Sequence, residues 1–489
     1  MQKKIFFIFL TFSSILLLFI STTHASNDIK PYEGIIGIHT KAGGGCCSFD
    51  EIISLCQQKK IKILITNDYF LKKFDYGYFP FKKLFFTSYE KPCIFNYGTN
   101  EYLSDLAAID QNTEDILILP GLDVIPFYYW TGAQKKNLTC NDAQKEIFVM
   151  GLDETKIIEK MPLLSVNKFS LMYTPDILPL FLLYFIPLIL SIIIYKWGGA
   201  YKYIGSVIFI FSILLLFNNL PFRNSLYDQY HGDQGIGPYA ELLNYVEKNN
   251  GITFWAHPEK RFLDREDIPN SKTLPYPEVL IESNYYNGFS AFYDNAENTL
   301  AKPGNMWDKI LIDYCQSERK KPVWAIGETD ISLENGNQKG LSNTRTSFLL
   351  DKPDRESLIN ALHNGKMYVT KSNGNYRLLL NKFTVFDKEN AKETISGGKI
   401  SAKEPEIFIE VSAFDNFDFG KIALETCVTL IRNGEVIKVF KGPTPLSISY
   451  KDESPLKGGL GYYRIYVESD DGNLLISNPI FVKFATTIK

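Results

Sequence analysis

Two histidines, three aspartates and one glutamate stand out in this chain for what precedes them. His39, Asp68, Asp123, His257 and Asp330 each close a short apolar run, and Glu328 lies two residues before the last of them. Two imidazoles and three carboxylates are a donor set for one divalent ion (zinc, manganese or iron) with a position left for water. A metal-bound hydroxide could then attack a phosphoester, with Asp330 or Glu328 as general base. The metal-ligand candidates are therefore His39, Asp68, Asp123, His257 and Asp330, and the catalytic candidates are Asp330 and Glu328.

The runs that must position these side chains read Gly-Ile-Ile-Gly-Ile-His39, Ile-Lys-Ile-Leu-Ile-Thr-Asn-Asp68, Asp-Ile-Leu-Ile-Leu-Pro-Gly-Leu-Asp123, Ile-Thr-Phe-Trp-Ala-His257 and Val-Trp-Ala-Ile-Gly-Glu-Thr-Asp330. Short Ile-, Val- and Leu-rich runs, apolar on both faces, predict buried strands of a parallel sheet. If such a sheet closes into a barrel, the C-terminal ends of its strands gather at one mouth, where barrel enzymes keep their chemistry. Alternation along a strand puts Gly37 with His39, Trp255 with His257, and Glu328 with Asp330 and Ser332 on common faces.

With 489 residues the chain is long enough for more than one domain, and a net charge of −3 gives no reason to expect nucleic acid as a partner. Gln2-Lys3-Lys4, the apolar stretch from Ile5 to Ile20 and Thr23-His24-Ala25 have the layout of a secretory signal peptide. Ile177 to Tyr195 and Tyr203 to Leu220 are nearly charge-free and long enough to span a bilayer, joined by the basic loop Lys196 to Lys202. The positive-inside rule places that loop in the cytoplasm. An exported start and an even number of spans then leave both flanking halves on one side of the membrane, so strand ends before and after the hairpin can share a site. The lipid bilayer is thus one expected partner, and the soluble parts are expected outside the cytoplasm, in the periplasm or on the cell surface.

Seven cysteines without a Cys-x-x-Cys pair argue against a structural zinc site. Ser48 predicts the cap of a helix over 50–59, and helices are expected over 101–111, from Pro238 to Asn249, over 309–314 and over 354–364, the last stopped by Gly365. Residues 69–100 are aromatic-rich and irregular, suggesting a lid or a membrane-facing apron. Strands are expected near Val279 to Glu282 and Phe289 to Phe292. From about residue 345 the pattern turns to alternating strands over 376–386, 406–414, 427–432, 435–440, 462–468 and 474–484. Asn433-Gly434 and Asp471-Gly472 supply turn signals, which together read as a β-sandwich. His231 reads as a loop or cap residue more than a ligand, and Lys41 with Gly43-Gly44-Gly45 as a flexible loop more than a phosphate cradle.

In order, these motifs resemble those of the PHP (polymerase and histidinol phosphatase) superfamily, in exported or membrane-linked members with a C-terminal sandwich. The corresponding stretches are Gly37-Ile38-His39, Thr66-Asn67-Asp68, Pro120-Gly121-Leu122-Asp123, His257-Pro258 and Gly327-Glu328-Thr329-Asp330-Ile331-Ser332. The resemblance covers roughly residues 34 to 335 apart from the hairpin. It implies a distorted seven-stranded β/α barrel that binds up to three metal ions and hydrolyses phosphoesters. The expected organisation is a signal peptide over 1–25, barrel halves over 26–170 and 221–340, a transmembrane hairpin over 171–220 and a sandwich over 345–489. The chain departs from the family pattern at the ligands: Gly37 and Ser332 stand where the family has histidines, Asn67 where it has Asp, Asp68 where it has a metal-binding His, and Asp123 where it has Glu. Those departures favour a scaffold with an eroded metal site, binding an envelope ligand or partner. A phosphoesterase with a reduced one-metal site is the alternative.

Overall fold

In the computed structural model the described residues are 29–45, 47–133, 136–164, 170–263, 268, 270–293, 296–329 and 343–484. The proposed signal peptide, Cys46, Asp330 and Ser332 lie outside them.

The apolar runs do form buried strands. Lys30–Ile38 pairs in parallel with Ile63–Thr66, and that strand with Leu117–Leu119. In a second sheet Ile252–Trp255, Gly288–Tyr293 and Trp324–Glu328 are parallel in that order. The two sheets are stitched by strands that bend. Ile63–Thr66 turns at Asn67 into Asp68–Tyr69, and Leu117–Leu119 turns at Pro120 into Gly121–Val124; both second segments belong to the second sheet. The second sheet's edge at Trp324–Glu328 also reaches the first sheet, because the amide of Thr329 donates to the carbonyl of Ile36 at 2.7 Å.

One strand corrects the all-parallel expectation. Ile147–Met150 lies between Gly121–Val124 and Ile252–Trp255 and runs antiparallel to both. A four-residue apolar strand buried on both faces reads the same in either direction, so its sequence could not reveal its polarity.

Beyond the first region the sheet simply continues. Thr344–Leu350 pairs antiparallel with Lys30–Ile38, then with Met367–Lys371, which pairs with Leu474–Ser477 and so leads into the C-terminal strands. A five-stranded sheet built on Tyr376–Asp387 and Pro405–Asp415 faces these strands across a second core that includes Val385, Ile407, Val428, Ile465 and Val482. Asn433 and Gly434 both have positive φ (47° and 81°) where Arg432 pairs with Glu435, the tight hairpin their sequence predicts. Buried ion pairs lock the two regions together: Arg464 grips Asp308 at 2.6 and 2.5 Å, and Arg345 and Arg377 both reach Glu33.

Other expectations hold or shift by short distances. Ser48 caps Phe49–Gln58 through a reciprocal bond with Glu51, and Asp354 and a left-handed Gly365 bracket Arg355–Asn364. Val279–Glu282 is a turn of helix rather than a strand. The 474–484 strand is two, Leu474–Ser477 and Ile480–Phe484, parted at Asn478-Pro479 because proline offers no ladder N–H. Residues 69–100 are not irregular: Lys73–Gly77 and Phe86–Glu90 form an antiparallel hairpin.

Two helices are long and apolar enough to cross a membrane, Thr174–Lys196 and Tyr201–Asn218. At 23 and 18 residues they reach about 35 and 27 Å, near the roughly 30 Å of a hydrocarbon core. They touch where Gly205 lets backbones approach; a Cβ there would lie 2.7 Å from the amide nitrogen of Tyr195.

Candidate functional site at the strand ends

Asp68 follows the bend at Asn67 and is fully buried, and folding has already engaged its carboxylate. Oδ1 accepts the amide of Thr40 at 2.5 Å, and Oδ2 accepts the hydroxyls of Thr40 and Tyr102, both at 2.9 Å. The adjacent loop is packed onto it, since a Cβ on Gly43 would come within 2.3 Å of Asp68. Burial raises its pKa to about 6, against the lowering influence of these hydrogen bonds. The Lys41–Gly43 turn is therefore a capped, closely packed structure rather than a flexible loop.

His257 ends the Ile252–Trp255 run with φ of +25°, a conformation costly for a non-glycine residue. What holds it there is Glu328. Glu328 Oε2 accepts the backbone amide of His257 at 3.0 Å, and Oε1 faces Nδ1 at 2.8 Å. The other ring nitrogen, Nε2, faces the carbonyl of Gln144 at 3.3 Å and Glu146 Oε2 at 3.5 Å. Both ring nitrogens thus lie within reach of protein acceptors.

Asp123 joins the same pocket. It is buried, hydrogen-bonded to Glu146 and close to Glu328; its pKa is raised well above the usual carboxylate range, by burial first and then by the Glu146 charge, with Lys72 opposing. Lys72 is buried too, and its ammonium lies 3.9 Å from the ring centre of Tyr69. Tyr69 in turn stacks on the imidazole of His39 at 4.5 Å. At Gly37 (φ +101°) a Cβ would lie 3.1 Å from Glu328 Cγ. The place where the resembled family carries its first histidine is thus where Glu328 packs.

Of the sequence-derived candidates, the structure brings Asp123, Glu328 and His257 together, links His39 to them through Tyr69 and Lys72, and turns Asp68 toward Thr40 and Tyr102. Asp330 falls outside the described residues. Glu146, Gln144 and Lys72 were missed. Glu146 immediately precedes an apolar run instead of following one, and because that strand runs antiparallel its beginning, not its end, lies at the cluster.

Whether a divalent ion fits can be asked of the donors themselves. Asp123 Oδ1 and Glu146 Oε1 are buried oxygens without a hydrogen-bond partner. Against them, both nitrogens of His257 and both oxygens of Asp68 are engaged. Among the described residues no three His, Cys, Asp or Glu side chains are arranged to hold a metal. In this conformation the described residues do not supply the three or four protein ligands such an ion takes.

No family model and no curated protein sequence matches the chain. Among solved structures it is similar to a two-domain protein from Bacteroides vulgatus containing a predicted PHP-like metal-dependent phosphoesterase, with TM-score 0.36 and 9% identity over 94% of this chain and 96% of that one. It is also similar to a candidate metal-dependent phosphoesterase from Bifidobacterium adolescentis, with TM-score 0.29 and 11% identity over 67% of this chain and 97% of that one. At this level of likeness no residue role passes from those proteins to this chain.

Proposed function

We propose that this chain is a membrane-tethered, PHP-like barrel protein of the cell envelope, with a C-terminal β-sandwich, that acts as a binding scaffold and not as a hydrolase. The observation that carries this reading is His257, clasped by Glu328 on one ring nitrogen and faced by Gln144 and Glu146 on the other. A pocket whose carboxylates already face an imidazole and a buried lysine has less electrostatic need of a divalent cation. The apolar helical hairpin supports the tether, and the basic loop between its helices supports an extracytoplasmic orientation of the rest.

One observation favours the alternative, a one-metal phosphoesterase: the unpartnered oxygens of Asp123 and Glu146 lie in the same pocket. Metal analysis of the purified full chain after incubation with zinc, manganese or iron(II) separates the two. The scaffold reading expects no stoichiometric metal after gel filtration and no hydrolysis of an aryl phosphate. One equivalent of metal, lost in Asp123→Ala and Glu146→Ala, would overturn it in favour of the hydrolase.

A further inference from the structure

The foot of the helical hairpin holds a second, more open charged site. A cavity of about 180 Å³ lies between the Lys73–Gly77/Phe86–Glu90 hairpin and the segment that leaves Tyr201–Asn218. Lys82, Lys83 and Arg223 line it, with Asp75 and Asp228 as its carboxylates. Those carboxylates already have partners: Asp75 accepts the Ser88 hydroxyl at 2.5 Å, and Asp228 accepts the Tyr230 amide and pairs with His231 at 2.6 Å. Among the described residues neither Lys83 nor Arg223 has a carboxylate oxygen within 4.0 Å. Arg223 Nε is buried without a hydrogen-bond partner. Lys83 keeps contact with solvent but stands within the cleft, where the surrounding walls, and then the Arg223 charge, lower its pKa to about 7. Like charges held together this way gain most from an added anion.

The surroundings say where that anion comes from. The amide of Lys83 donates to Asn218 Oδ1 at 2.8 Å, and Phe81 packs on Phe211 with ring centres 5.1 Å apart, so the hairpin tip is fixed beside the end of an apolar helix. At the same tip Phe79 is 88% exposed, and Phe85 and Phe86 are exposed as well. Aromatic side chains flanking cations at the end of a spanning helix belong at the headgroup level of a bilayer. The volume is below the roughly 300–1,000 Å³ of clefts that engulf whole small molecules, and suits a single phosphate group.

Building on the membrane-tethered reading, we propose that Lys82, Lys83 and Arg223 bind the phosphate of an anionic phospholipid headgroup, which seats the soluble body on the membrane surface. Arg223 supplies a planar fork for phosphate oxygens and the two lysines supply point charges.

Full chain reconstituted in phosphatidylcholine vesicles tests the tether by itself: a spanning hairpin keeps the protein with lipid through an alkaline wash, and loss in that wash would sink the membrane reading on which the lipid site rests. Native mass spectrometry of the detergent-solubilised full chain then tests the site with phosphatidylglycerol, phosphatidylcholine and glycerol 1-phosphate as probes. The expected result is retention of one phosphatidylglycerol in preference to phosphatidylcholine, weakened about ten-fold or more by K83Q/R223Q and kept by the charge-keeping K83R. Capture of glycerol 1-phosphate without a lipid preference would overturn the headgroup assignment and make a soluble phosphoester the ligand. Equal retention of both lipids by the wild-type chain, with the alkaline-wash result intact, overturns the site while leaving the tether standing. That comparison decides even if the neutral variant fails to fold.

Discussion

Around His257 every charge has been turned inward, while around Arg223 the cations face a cavity with few partners. In the first region Glu328 spans the ring and the amide of His257, Asp123 leans on Glu146, and Lys72 covers Tyr69. In the second, Lys83 and Arg223 have no ion-pair partner among the described residues, and their nearest acids are engaged elsewhere. The difference lies in desolvation. A charge excluded from water must be paired within the protein or it destabilises the fold, whereas a charge at the rim can wait for a ligand.

The sharpest way to break this contrast is E328A. It leaves the His257 ring and amide without their acceptor in a buried site, and should cost about 3–5 kcal/mol, read as a lowered urea midpoint of the full chain in detergent. Unchanged stability with lost phosphoesterase activity would make Glu328 a functional base and end the comparison.

The next effect is a pH dependence at Asp68. Burial raises its folded pKa to about 6 from an ordinary 3.8. A carboxyl that holds its proton more tightly in the folded state contributes stability fully present below about pH 4 and lost as pH rises through about 6. Relative to D68N, the wild-type chain should therefore lose stability across that window, by an amount on the order of 3 kcal/mol. If Asp68 were instead a metal ligand, added zinc would reverse the slope, since binding requires the carboxylate.

The smallest effect sharpens the other half of the contrast. K83Q and R223Q should each leave the fold as stable as the wild type or somewhat more stable at neutral pH, because folding partly desolvates these charges without pairing them. A loss in denaturant titrations would show that the cleft cations hold structure and are not kept for a ligand.

Much of the scaffold could be read from sequence because its signals are local. Ser48 and Asp354 cap helices, Gly365 ends one and Asn433-Gly434 turns a hairpin, through hydrogen bonds or φ values fixed within a few residues. Strands ending at Ile38, Trp255 and Glu328 followed from two-sided apolar runs. The polarity of Ile147–Met150 was not legible, and with it went Glu146. Nor was the hairpin at 73–90, whose aromatic residues alternate without a clear apolar face. At the candidate site the residue types were visible but not their partners. Nothing near Asp68 announces that Thr40 and Tyr102 will occupy both its oxygens.

The sequence by itself determined which segments would be buried strands, capped helices and long apolar helices, because those follow from side-chain periodicity and short-range hydrogen bonding. Only the tertiary structure decided which acid meets which base. Glu328 finds His257 71 positions away, and Arg464 finds Asp308 at a separation of 156. Such pairings depend on how strands are ordered and which way each runs, and short apolar sequences leave both undetermined.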